Sequence, residues 1–165
     1  MTQWSLFPDF GTKRIDFEHK FFVNIISDRW SKYSGSIGKI NDKWEIKNRL
    51  KVYCSHKYFQ KATHNTYAYR IQNESGIIEE GKHDDGETGA GNCILRELQR
   101  DNIVNVIIVI TRYFWWVYLN ADRYRKVIAA TKYVISECKV QIYWKYFFYT
   151  IKKTRVLLLV FYYKL

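Results

Sequence analysis

The segment Val104–Ile110 constrains the fold more than any other part of the chain. Its residues, Val-Asn-Val-Ile-Ile-Val-Ile, carry apolar side chains on both alternating sets of positions. Successive side chains of a strand point to opposite faces of a sheet, so a strand with two apolar faces is covered on both. We therefore predict that Val104–Ile110 is a central strand.

The strongest helical pattern follows that strand, from Asn120 to Glu137. Small and apolar residues recur at the three- and four-residue spacing of one helix face, and Asn120 is a suitable N-cap. The stripe consists of Ala121, Tyr124, Val127, Ile128, Thr131, Val134, Ile135 and Cys138. A buried strand beside an amphipathic helix predicts a domain of the α+β class.

Shorter patterns complete the predicted domain. The strands are Phe21–Ile26, Thr66–Ile71 and its hairpin partner Gly76–Glu80. Helices are predicted over Asp42–Tyr58 and around Ile94, Leu95 and Leu98, ending near Asp101. Two glycine-containing segments, Ser31–Lys39 and Lys82–Gly91, are predicted to be loops.

The net charge indicates an anionic partner. The chain has 27 Lys and Arg against 16 Asp and Glu, which gives +11. Such an excess favours RNA, DNA or an acidic membrane surface, although basic residues also serve simply as a solvated face. The 14 Tyr, 10 Phe and 6 Trp either stack on bases beside these cations or fill the core.

Several classes of protein are disfavoured by the same sequence. Cys54, Cys93 and Cys138 are widely spaced and form no C-x-x-C pair, so we expect no disulfides and a reducing compartment. Met1–Phe10 lacks the pattern of a signal peptide, and the apolar run Val156–Tyr163 is too short to span a bilayer. These features predict a cytoplasmic protein.

Four segments occur in an order and spacing that resemble the IMPACT family. The first is Lys61–Arg70, Lys-Ala-Thr-His-Asn-Thr-Tyr-Ala-Tyr-Arg, and the second is Asp84–Gly91, Asp-Asp-Gly-Glu-Thr-Gly-Ala-Gly. Val109–Phe114 and Ala121–Tyr124 follow. The Asp-Asp-Gly-Glu-Thr form and the Ala-Asp-Arg-Tyr helix start look more like the eukaryotic branch of the family than the bacterial one.

The resemblance implies a small mixed sheet with helices packed on one face, similar to a domain of ribosomal proteins and translation factors. Eukaryotic members restrain the starvation-responsive initiation-factor kinase by competing for its ribosome-bound activator, through a separate RWD domain. We expect no RWD domain within 165 residues. The expected organisation is a lead-in (1–13), the IMPACT-like domain (14–137) and a basic aromatic extension (138–165).

One departure from the family pattern is large. Trp115 and Trp116 stand where the family has two glycines, and Asn120 stands where it has one. Adjacent tryptophans in a loop cannot easily face one core, so one either projects towards a partner or lies under the C-terminal extension. Asn tolerates a positive φ, so the change at Asn120 is mild.

The acidic loop Asp84-Asp85-Gly86-Glu87 has two interpretations. Buried carboxylates need partners, so Arg112 or Arg123 is predicted to pair with the loop inside the domain. Alternatively, His64, Asp84, Glu87 and Arg112 line the cleft of a small hydrolase or other enzyme. His83, and a pair formed by Cys93 and His64, are weaker catalytic candidates; a thiol in the first turn of a helix has a lowered pKa. Carboxylates suit Mg²⁺, but no second ligand cluster supports a metal, and we predict neither metal nor cofactor.

The favoured function is binding, not catalysis: a translation regulator that binds the ribosome or a ribosome-associated factor. Other candidate partners are a translation factor and the activator of the stress kinase; an enzyme and a membrane-surface protein are the alternatives. The predicted binding residues are Lys61, His64, Asn65, Arg70, Asp84, Asp85, Glu87, Arg112, Trp115, Trp116 and Arg123. The extension is predicted to contact RNA through Lys145, Lys152, Lys153 and Arg155.

Overall fold

The computed structural model describes residues 12–113 and 122–138. Its strands are His19–Asp28 (β1), Ser31–Lys39 (β2), His64–Gln72 (β3), Ile78–His83 (β4) and Val106–Tyr113 (β5). The helices are Lys43–Ser55 (α1), Ala90–Arg100 (α2) and residues 122–138 (α3). The strands form one sheet in the order β1-β2-β5-β3-β4, and every neighbouring pair is antiparallel.

The central position predicted for the apolar strand is confirmed. β5 lies between β2 and β3, and its side chains alternate between two cores. Val106, Ile108 and Ile110 pack with residues of α2 and α3, whereas Ile107 and Val109 pack with residues of α1. An apolar strand of this kind is stable because each face is removed from water.

The α+β class is confirmed, and the layering differs from the expectation in two details. The sheet is antiparallel throughout the described strands, whereas the family resemblance implies a mixed sheet. α2 and α3 share one face as expected, but α1 covers the opposite face through Ile46, Leu50 and Tyr53. The reason is β5 itself, because its second apolar side needs a cover of its own.

The prediction of a loop over Ser31–Lys39 is wrong, since this segment is strand β2. Its small residues allow the helices to come close to the sheet. A Cβ atom on Gly35 would lie 2.6 Å from Val134 Cγ2 of α3, and one on Gly38 would collide with the Tyr53 hydroxyl of α1. Glycine here serves close packing and not a turn.

The other predicted elements are confirmed with shifted ends. The predicted loop 82–91 begins two residues later, because β4 continues to His83. Asp42 caps α1 by accepting a hydrogen bond from the Trp44 amide at 3.2 Å. The predicted cap Asn120 and residues 139–165 of the C-terminal extension lie outside the described residues. None of the described helices is long and apolar enough to cross a membrane.

Candidate functional site

The acidic loop lies in the connection between β4 and α2, residues 84–89, and is hydrogen-bonded to the first residues of β3. The Thr66 hydroxyl donates to the Asp84 carbonyl at 2.9 Å, and the Asn65 amide donates to the Asp85 carboxylate at 2.6 Å. His64 Nδ1 lies 2.7 Å from the Asp85 carbonyl oxygen. Because a carbonyl only accepts, Nδ1 carries the hydrogen and the ring is fixed in one tautomer.

Asp84 caps helix α2 from five residues before its N-cap position. Gly89 occupies that position with φ +89° and supplies no side chain. The two carboxylate oxygens of Asp84 instead accept hydrogen bonds from the amides of Gly89 and Gly91, each at 2.8 Å. Burial alone would raise the pKa of Asp84, but these two hydrogen bonds, together with the charges of Lys82 and His83, outweigh it and hold the pKa below its ordinary value.

Replacing Asp84 with asparagine is expected to lower the free energy of unfolding by about 1–3 kcal/mol at pH 7. An asparagine has one acceptor oxygen, so one of the two amides loses its partner. The lowered pKa means that the contribution of Asp84 is present above its unfolded value near 3.8 and is lost as the pH falls through its folded value. The difference between the two proteins should therefore shrink below about pH 4.

Urea denaturation at pH 7 and at pH 3 measures this difference. The control is Glu74→Gln, which removes an exposed carboxylate in the β3–β4 turn. A loss for Asp84→Asn that is equally large at both pH values would contradict the capping role of the charge.

Glu87 and Arg112 form an ion pair inside the domain. Glu87 Oε1 accepts from Arg112 Nη1, and only 3% and 5% of the two residues are exposed. The second terminal nitrogen of Arg112 lies 3.4 Å from the Ser31 hydroxyl, and the guanidinium carbon lies 5.8 Å from the centre of the Tyr33 ring. The hypothesis that the acidic loop folds onto an internal cation is confirmed, and Arg112 is that cation.

Helix α3 closes the other side of the loop through its first residues. The Tyr124 hydroxyl donates to the Thr88 carbonyl at 2.8 Å and accepts from Arg123 Nη2 at 2.9 Å. The hydrogen bond to Tyr124 is the largest cause that raises the pKa of Arg123, and the negative charge of Glu87 adds to it. Arg123 and Glu87 thus belong to one electrostatic neighbourhood.

Residues from the four family-like segments come together in the structure. His64 and Arg112 are paired across β3 and β5, Glu87 joins them through Arg112, and Asp84 lies in the same loop as Glu87. The Asn65 carboxamide also belongs here, accepting from the Thr111 hydroxyl at 2.7 Å. A binding role for these residues stays a prediction.

Two predicted site residues lie elsewhere. Arg70 is at the opposite end of β3, where it pairs with Glu80 at 2.7 Å and donates to the carbonyls of Leu98 and Ile103, each at 3.2 Å. Lys61 is exposed, three residues before β3. Six further predicted residues lie outside the described ranges: Trp115, Trp116, Lys145, Lys152, Lys153 and Arg155.

The charged side chains of the loop mainly make contacts inside the domain. Its three carboxylates bind backbone amides or Arg112, and among the described residues no group of three or more potential metal ligands comes together. The expected low pKa of Cys93 is wrong: burial raises the pKa of this thiol, which lies 3.6 Å from the Gly89 carbonyl. His83 stacks on Tyr67, with ring centres 5.4 Å apart.

Sequence reasoning missed three members of this network: Ser31, Tyr33 and Tyr124. The sequence predicts a loop at Ser31 and Tyr33, whereas both residues lie on a strand beside Arg112. Burial raises the pKa of Tyr33 to about 12, as expected for a phenol inside the domain. Tyr124 is visible within the Ala-Asp-Arg-Tyr segment, but its hydroxyl role depends on the distant Thr88 carbonyl.

Comparison with known proteins identifies the family. Residues 29–135 match the family model described as the Impact N-terminal domain. The chain belongs to the IMPACT family. It is 34% identical over 111 residues to a protein IMPACT homolog of Dictyostelium discoideum, covering 67% of this chain and 32% of that protein. It is 29% identical over 114 residues to protein IMPACT of Homo sapiens, covering 68% and 35%.

Two solved structures share the fold of this IMPACT-family chain. One, described as a hypothetical protein, has a TM-score of 0.61 at 17% identity and covers 77% of this chain and 59% of its own. The other is the two-domain translational regulator Yih1, with a TM-score of 0.50 at 24% identity, covering 84% and 53%. The chain spans about a third of the length of the Dictyostelium and human relatives.

Proposed function

We propose that this chain is a non-enzymatic translation regulator that binds the ribosome or a ribosome-associated factor and so restrains translation. Membership of the IMPACT family supports the proposal, as does its structural similarity to a protein described as a translational regulator. The site of action is then the cytoplasm, in a stress-response or dormancy setting. A translation factor or the activator of a stress kinase is an equally suitable direct partner.

The observation that carries the proposal is the internal use of the acidic loop. Asp84 caps α2, Asp85 binds the amide of Asn65, and Glu87 is buried against Arg112. General acid–base work needs a group within reach of a substrate proton, and these carboxylates are engaged with the protein itself. The acidic loop therefore helps to hold the domain together, and the net charge of +11 favours a polyanion as the partner.

The proposal is tested by co-sedimentation of the full chain with purified ribosomes over a range of salt concentrations. We expect binding that weakens steeply as salt rises, because cations that neutralise phosphates release condensed counterions. An absence of co-sedimentation at about 50 mM salt, the low end of the range over which such contacts are normally compared, would refute it.

In the same assay, alanine at Trp115 or Trp116 is expected to weaken ribosome binding by about 1–3 kcal/mol, the range for loss of stacking on a base. If either tryptophan anchors a partner, the thermal midpoint should barely change, because a side chain that contacts a partner contributes little to the core. A large loss of thermal stability with intact binding would instead identify both residues as part of the core.

A further inference from the structure

The span between Glu45 and Glu74 contains no acidic residue, although it includes most of α1 and all of β3. Its two arginines are directed inwards or to carboxylates: Arg49 pairs with Glu18, and Arg70 with Glu80. Four lysines remain, and none of them is ion-paired with a described residue. They are Lys47, Lys51, Lys57 and Lys61, and all four are exposed.

The outer side of α1 combines these cations with apolar surface. Trp44 is 85% exposed, and it lies on the helix side that also presents Lys47 and Lys51, three and seven residues later. Lys47 and Lys51 are separated by about one turn, or 6 Å along the helix axis. At the end of the helix, the Lys57 ammonium lies 5.1 Å from the centre of the exposed Tyr58 ring.

Two carboxylates stand at the start of α1, and both accept hydrogen bonds from backbone amides while keeping their negative charge. Asp42 accepts from the Trp44 amide, and Glu45 accepts from the Asn41 amide at 3.3 Å. Lys43 pairs with Glu79 of β4, so it is not counted among the available cations. Trp44, Lys47 and Lys51 on the helix, with Lys57, Tyr58 and Lys61 beyond its end, are here termed the α1 face; its four lysines outnumber Asp42 and Glu45, and two of its side chains are aromatic.

We propose that the α1 face binds single-stranded RNA. Stacking on an exposed indole requires unpaired bases, and ammonium groups neutralise the phosphates between them. This inference rests on the proposed function insofar as the ribosome would supply the RNA. It adds a site on the described domain that is separate from Trp115, Trp116 and the C-terminal extension.

The way in which α1 packs on the sheet favours RNA over the other anionic partners. A helix that lies in a membrane surface needs a broad apolar side facing the lipid. The apolar side of α1 is instead packed on the sheet through Ile46, Leu50 and Tyr53. The lysines would attract an acidic protein as well as RNA, and unpaired bases can in addition stack on the exposed indole of Trp44.

The test measures the fluorescence anisotropy of a labelled uridine dodecamer titrated with the full chain. Trp44→Ala is expected to weaken binding about tenfold, which is within the range for loss of one stacked base. The matched control is Trp30→Ala, because Trp30 is 81% exposed at the β1–β2 turn, away from the α1 face. It should bind as the unaltered protein does.

A second pair of variants tests the electrostatic contribution of the lysines to RNA binding. Lys47→Gln combined with Lys51→Gln should flatten the slope of log affinity against log salt by about 1.4, because each phosphate of a single strand that is no longer neutralised removes about 0.7. The control is Arg125→Gln combined with Lys132→Gln, which removes two exposed charges from α3. The control slope should stay unchanged.

Equal effects in test and control variants would overturn the α1 face as an RNA site. Trp44-independent binding to the dodecamer, matched by equally tight binding to vesicles of phosphatidylcholine and phosphatidylserine, would overturn it as well. The dodecamer assay contains no ribosome, so its failure leaves the ribosome co-sedimentation result standing. Conversely, dodecamer binding through Trp44 without any ribosome binding would refute the proposed function alone.

Discussion

Glu87→Ala is expected to lower the free energy of unfolding by about 3–5 kcal/mol, as removal of one partner of a buried ion pair commonly does. The guanidinium of Arg112 would remain inside the domain without the carboxylate that it now contacts. Taking a charge out of water is costly, and the neutral oxygen of Ser31 at 3.4 Å does not replace a carboxylate. Urea denaturation followed by circular dichroism measures the loss.

A double variant separates the charge from the packing. Glu87→Leu with Arg112→Met removes both charges and keeps apolar volume, so it should recover much of the stability lost in Glu87→Ala. If the double variant is as unstable as Glu87→Ala, the stability is lost through packing. The unpaired charge of Arg112 is then not the cause of the loss.

Deleting Lys139–Leu165 is expected to abolish ribosome co-sedimentation at physiological salt. The segment contains six lysines and arginines and no acidic residue, together with the aromatic run Tyr146–Tyr149. Each phosphate that is no longer neutralised reduces the counterion release that drives binding, so the effect of removing several cations is cumulative. Sedimentation through a sucrose cushion, with the unaltered chain alongside, measures the effect.

Four glutamine substitutions, at Lys145, Lys152, Lys153 and Arg155, provide the control that keeps the segment in place. They should flatten the dependence of ribosome binding on salt without a loss of circular dichroism signal. Unchanged co-sedimentation after the deletion would transfer binding to Trp115 and Trp116 or to the α1 face. The extension would then be an added cover for the domain.

The strands that the sequence predicted well are those whose apolar pattern matches their burial. β5 is apolar on both faces and is central, and β3 alternates because one face meets each core. β2 was missed because Ser34, Gly35, Ser36 and Gly38 have the composition of a turn. Their small size matters only in relation to Val134 and Tyr53, which are distant in sequence. Local propensity cannot report a constraint of that kind.

In the candidate site, too, local patterns were predictable and contacts between residues distant in sequence were not. The pairing of the acidic loop with an internal arginine followed from the rule that buried charges need partners, and Arg112 fulfils it. Arg70 belongs to the same shared motif as His64, but the length of β3 puts the two residues at opposite ends of the strand. Their spacing in the sequence therefore could not show that Arg70 lies away from the site. Its contacts with Glu80, Leu98 and Ile103 depend on how α2 crosses that end.

Gly35 and Gly38 let two helices be positioned independently on a single strand. Gly35 faces α3, which carries Arg123, whereas Gly38 faces α1, which carries Trp44. An added methyl group at one glycine would displace one helix and leave the other in contact with the sheet. The arrangement of the acidic loop and the orientation of the α1 face can therefore be altered separately, each by a substitution at one position of β2.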